Sequence, residues 1–85
     1  MAYNGLCTVS NAGVKLDGPN WRAALLLRSP AFPDGRNFYS APNLMREVLA
    51  VALAAVTSYK QVYCEIPDEA TEWSEITQIN LMSGQ

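Results

Sequence analysis

Between Val48 and Val56 the chain reads VLAVALAAV, nine apolar residues without a charge, while the segments around it carry apolar residues in the two-residue rhythm of strands. At 100° per residue, Leu44, Met45, Val48, Leu49, Val51, Leu53 and Val56 cover an arc of about 200°, roughly twice the stripe of an ordinary surface helix. Arg46, Glu47, Ala50, Ala54, Thr57 and Ser58 fill the rest. The pattern predicts a helix from about Ala41 to Ser58 or Tyr59. Its large residues would cover the body of the domain, and the Ala50/Ala54 seam would let another backbone come close. Deep burial within its own domain is the competing reading. A membrane span is not expected, because an uncharged run of nine is far short of the roughly 20 residues that cross a bilayer.

Ahead of the helix, Leu6 to Ser10 alternates with Cys7 and Val9 on one face, and a bend or bulge at Asn11-Ala12-Gly13 precedes Val14-Lys15-Leu16. Asp17-Gly18-Pro19-Asn20 is a turn cluster. Trp21 to Arg28 (WRAALLLR) suits a strand buried on both faces, with Trp21 in the core. Ser29 to Gly35 holds two prolines and an Asp-Gly and reads as a loop before a short strand, Arg36 to Tyr39. Ser40 can cap the helix, with Ala41-Pro42 in its first positions. Lys60 complements the negative end of the helix. Gln61 to Ile66 alternates cleanly, Val62, Cys64 and Ile66 inward and Gln61, Tyr63 and Glu65 outward. After an acidic loop, Pro67 to Glu72, the last strand from Trp73 to Met82 needs a bulge near Thr77-Gln78 to bring Ile76 and Ile79 to one face.

The expected fold is thus mainly β with one helix, a small five-stranded OB-like β-barrel in the order β-β-β-α-β-β, forming a single domain over residues 1–85. A chain of 85 residues, 49% hydrophobic and 16% charged, is too apolar for a disordered tail. It is also small enough to gain from a cross-link or a partner subunit.

Charge narrows the partners. The net charge of −2 lacks the basic footprint of nucleic-acid binding, although Arg22, Arg28 and Arg36 could form a local patch. The halves are opposite in sign: five basic residues face Asp17 and Asp34 before residue 47, and Lys60 alone faces six acids from Glu47 onward. Neutralisation within one fold explains that asymmetry, and head-to-tail association would use it. No export signal precedes the first strand. The protein is then cytoplasmic, or a secreted or periplasmic chain whose natural precursor carries the signal.

Chemistry is sparse. The chain has no histidine, which removes Ser-His and Cys-His nucleophile systems, and no Gly-rich phosphate loop appears. Asp68-Glu69 and Glu72-Glu75 pair carboxylates within a solvated loop. The expectation is a non-catalytic protein without metal or other cofactor. Cys7 and Cys64 could close a loop of about 58 residues, worth on the order of 4 kcal/mol, or stay as two buried thiols. Candidate ligand contacts are the outward aromatics Tyr63 and Trp73, flat apolar surfaces for a sugar, with Glu65 and Gln61 to accept hydroxyl donors. An accessory protein-interaction module needs nothing that the sequence lacks.

The helix from Asn43 to Tyr59 followed at once by QVYCEIP, an acidic loop and the closing strand SEITQINLM resembles the B subunits of ring-forming bacterial toxins, such as those of cholera toxin, subtilase cytotoxin and typhoid toxin. The order of elements carries the likeness over most of the chain, and local likeness covers its last forty residues. The resemblance implies a homo-oligomeric ring with glycan-binding barrels and helices gathered about a pore. It also implies a Cys7–Cys64 pairing, as in the cholera-type subunits. No sugar-contacting motif carries over, and the chain is shorter than those subunits.

Overall fold

The computed structural model describes residues 2–68 and 71–82. β1 (Tyr3–Asp17) and β2 (Asn20–Ser29) form a long hairpin closed by Gly18-Pro19, with Asp17 opposite Asn20. Gly18 takes a φ of 63°, the left-handed backbone that a two-residue hairpin turn demands and glycine tolerates. β3 (Phe32–Ser40) returns along β2. A 3-10 turn, Pro42–Leu44, leads into α1 (Met45–Ser58), followed by β4 (Val62–Ile66), β5 (Ser74–Ile76) and β6 (Gln78–Leu81). The strands lie in the order β5-β3-β2-β1-β4-β6, with β3 and β5 parallel and the other neighbours antiparallel.

This is the expected β-β-β-α-β-β order, and the topology is OB-fold-like. The closed five-stranded barrel does not form. Six strands make one sheet curled into an open half-barrel, because the last strand is interrupted rather than bulged. The Thr77 backbone N–H and side-chain Oγ1 both donate to the Glu65 carbonyl, at 2.9 and 3.1 Å. That takes Thr77 out of the ladder. β5 therefore lies on the edge of β3, and β6 on the edge of β4.

The inner face of the sheet carries Cys7, Val9, Ala23, Leu25, Leu27, Phe38, Val62, Cys64, Ile66 and Ile76, and Val48, Ala52 and Ala55 of α1 close over it. Phe32 links Tyr3 and Phe38 edge-on, with ring centroids 5.3 and 5.4 Å apart. Such pairs add about 0.5–1.5 kcal/mol each beyond area burial. β4 alternates as expected, with Val62, Cys64 and Ile66 fully buried.

The bulge expected at Asn11-Ala12-Gly13 is found at its start, as a register shift between Val9 and Asn11, and β1 continues through it as one strand. Three local expectations are corrected. β3 begins at Phe32 rather than Arg36. Pro33 costs no ladder bond there, since it stands opposite the register shift between Leu27 and Ser29. β2 is fully buried on one face only, and Trp21 is 56% exposed, because the hairpin extends beyond the core. Ser40 caps nothing: its Oγ accepts the Ala23 N–H at 3.0 Å, and the chain enters α1 through the 3-10 turn.

The helix turns the middle of the expected apolar arc to the sheet, with Val48 buried and Met45, Leu49 and Val51 packed against the core. Ala52 and Ala55 meet the sheet, while Leu53 and Val56 are exposed. Ala50 is exposed and Ala54 half-buried. Small residues at the middle of the packed face let the axis approach the sheet closely, and Leu53 and Val56 on its flank stay uncovered. At the far end Tyr59 takes a φ of 58° and is 95% exposed. It occupies the left-handed position where glycine usually ends a helix. Tyr59→Gly is expected to raise stability by about 0.5–1 kcal/mol, read as a shift in urea midpoint. A loss would mean that the ring has an unrecognised contact.

Candidate functional site

Three surfaces and one buried pair carry what chemistry the fold offers. The first is apolar. By alternation Ala12, Val14 and Leu16 of β1 share the inner face with Ala23 and Leu25 of β2, and Leu16 stands opposite Trp21. The core ends before the hairpin does. Val14, Leu16 and Trp21 are left about half exposed, with Leu53 and Val56 exposed on the helix that packs against β1 and β2.

The second surface is an aromatic and cationic cluster on the outer face. Arg22 donates to Asp17 Oδ2 at 2.7 Å, to Glu75, and to the Ser40 carbonyl at 2.8 Å. Its guanidinium lies 4.7 Å from the Tyr39 ring centroid. Tyr39 in turn packs on Trp73 at 4.7 Å, and Lys15 Nζ sits 4.3 Å from the Trp73 centroid. Trp73 adopts a φ of 68°, a strained backbone for a bulky residue. Its N–H donates to the Asn37 carbonyl at 2.7 Å, and the Asn37 side-chain amide donates to Glu72 at 2.6 Å. These contacts tie the hairpin end, β3 and β5 together.

The third is a groove of about 390 Å³ on the outer face, lined by Leu6, Thr8, Arg28, Ser29, Pro30, Pro33 and Gln61. Gln61 is the one expected ligand contact that lines it. Tyr63 stands beside Leu6 and Asn80, and Glu65 opposite Gln78. Trp73 is held against β3, with β2 and β1 between it and β4. Gln61, Tyr63 and Glu65 thus share one side of β4 while Trp73 stands apart from them, its ring engaged by Tyr39 and Lys15.

No family model, curated protein or solved structure matches this chain. The functional reading rests on geometry. Among the described residues no group of His, Cys, Asp and Glu could hold a metal ion, and no helix is long and apolar enough to cross a membrane. Glu72 and Glu75 are taken up by Asn37 and Arg22. Glu69 of the other carboxylate pair lies outside the described residues.

Cys7 and Cys64 are both buried free thiols. Gly5 faces Cys64 and Cys7 faces Val62, so the two thiols are diagonal neighbours on the inner face. A hydrogen bond from Cys64 holds Cys7 below the ordinary thiol range, with a further contribution from Tyr3. The same bond, followed by burial, pushes Cys64 up. Access rather than acidity governs reactivity in so closed a site. Neither thiol is expected to react with Ellman's reagent in the folded protein, and both are expected to titrate in denaturant without reductant. A count of zero in denaturant would mean the two are joined.

The sequence pattern placed Gln61, Tyr63 and Glu65 outward correctly and singled out Arg22 as a possible basic patch, but missed the contacts of Arg22 with Asp17, Glu75 and Tyr39 and the exposed hairpin end. The signal for the hairpin end was available in its length: nothing downstream could cover both Val14-Lys15-Leu16 and Trp21.

Proposed function

We propose that the chain is a non-catalytic binding module that works as an assembly of copies of itself. The observation that carries this reading is the half-exposed apolar row Val14, Leu16 and Trp21. A soluble domain seldom leaves such a row bare, and larger contiguous patches mark interaction surfaces. Leu53 and Val56 on α1 extend the apolar surface available to a partner. The resemblance to ring-forming toxin subunits bears on the same reading, since their function rests on assembly. Sedimentation equilibrium tests it. The expected result at micromolar concentration is a multiple of the 9.3 kDa chain mass, and a monomer at every concentration overturns it.

The outer-face groove supports a second reading, that the module holds a saccharide. Gln61, Thr8 and Arg28 supply amide, hydroxyl and guanidinium groups beside the apolar walls of Leu6, Pro30 and Pro33, the mixture that suits a polar ligand. Screening by saturation-transfer NMR would test it, with Arg28→Ala and Gln61→Ala expected to lose the signal and Trp73→Ala to keep it. Retention in both groove variants removes the groove from the reading.

A further inference from the structure

The most unusual feature of the sheet is an unpaired strand edge. β1 pairs with β4 only from Tyr3 to Cys7. From Ser10 to Asp17 it has β2 on one side and, among the described residues, no strand on the other. The free edges of β5 and β6 belong to strands of three and four residues, so β1 offers the longest template.

The direction of its free hydrogen-bonding groups follows from one contact. The Ala23 N–H goes to Ser40 Oγ, on the β3 side, so it points away from β1. Antiparallel ladders alternate between pairs that exchange both bonds and pairs that exchange none. Ala23 and its partner Val14 are therefore a pair that exchanges none, and the Val14 N–H and C=O point out of the sheet edge. By the same period Ala12 and Leu16 do too.

Edges of this kind are normally guarded by proline, by charges pointing along the edge, or by a covering element. The edge has no proline, and its two charges are engaged within the chain: Lys15 lies over Trp73 and Asp17 pairs with Arg22. The register shift at Val9 and Asn11 bends only its start.

We infer that this edge pairs antiparallel with the same edge of a second copy, about a two-fold axis through Val14. The inference rests on the self-association proposed above and names its surface. In that register Val14 faces Val14 of the second copy, and Leu16 faces Ala12, large against small. These three pairs exchange about six main-chain hydrogen bonds through the groups that point outward. On the outer face Lys15 meets Gly13 and Asp17 meets Asn11, so no like charges stand opposite. Shifting the register by two places, with Val14 opposite Leu16, would put Lys15 against Lys15. The inner faces then bring Val14, Leu16 and both copies of Trp21 onto one continuous apolar surface. The contact is isologous, so it closes as a dimer rather than propagating as a ring.

Sedimentation velocity over a concentration series tests the pairing with two variants. Val14→Glu places two carboxylates across the axis at a half-exposed position. It is expected to weaken association at least 100-fold while leaving the far-UV circular dichroism unchanged. Val14→Cys is expected to form an intermolecular disulfide on mild oxidation, seen on a non-reducing gel, whereas Thr57→Cys on the exposed helix face is not. A wild-type dimer that Val14→Glu does not weaken and Val14→Cys does not cross-link overturns the pairing and leaves self-association standing. So does a ring with an odd number of chains. A wild-type monomer at every concentration overturns both.

Discussion

Phe38→Ala is expected to cost about 3–5 kcal/mol, the range for truncating a buried aromatic. Phe38 is fully buried. It stands opposite Leu25 across β2 and beside Ser74 of the parallel strand β5, and it ends the edge-on series that runs from Tyr3 through Phe32. Its loss leaves a cavity where three strands meet, and only the short β5 could collapse into it. A domain of this size holds roughly 4–13 kcal/mol in all. The variant should therefore unfold at a much lower urea concentration, with an unchanged slope. Phe38→Leu, which keeps most of the volume, should lose far less. A loss below about 1 kcal/mol for the alanine variant would contradict the core described here.

The second large effect is expected from adding volume. Ala52 is fully buried and Ala55 nearly so, and they set the distance at which α1 rests on the sheet. Ala52→Leu would force the helix outward or push side chains out of their rotamers, at about 1–3 kcal/mol. Ala50→Leu, on the exposed side of the same helix, should leave stability within about 0.5 kcal/mol and the solution mass unchanged. This pair of variants separates the two faces directly. If Ala50→Leu were the damaging one, the helix would be turned against both its apolar arc and the burial described here, with the Ala50/Ala54 seam on the sheet.

The burial of Ala52 and Ala55 ahead of Leu53 and Val56 shows where reading the sequence reaches its limit. Periodicity finds the helix and its length, and in Val62, Cys64 and Ile66 it finds the buried face of β4, because alternation is a local property. It ranks Leu53 above Ala52 for burial, whereas a helix lying close on a curled sheet selects for size before hydrophobicity. Pro33 and Asp34-Gly35 look like a loop, yet Phe32 begins a strand. The register shift in β2 that accommodates the proline is a property of the pairing, not of either segment alone. Thr77 looks like a bulge, and only the position of the Glu65 carbonyl turns it into the break that opens the barrel. The ligand contacts fared the same way: Tyr63 and Trp73 are outward-facing aromatics in sequence, and the strand order keeps them apart.

The central claim is that the outward backbone groups of β1 are covered by a second copy of the chain. Amide hydrogen exchange resolved by NMR measures this directly at Ala12, Val14 and Leu16. At high protein concentration these three amides are expected to be protected, and to exchange freely on dilution below the dissociation constant, while Val62 and Cys64 remain protected throughout. Free exchange at Ala12, Val14 and Leu16 in a sample whose mass is that of a dimer would contradict the claim.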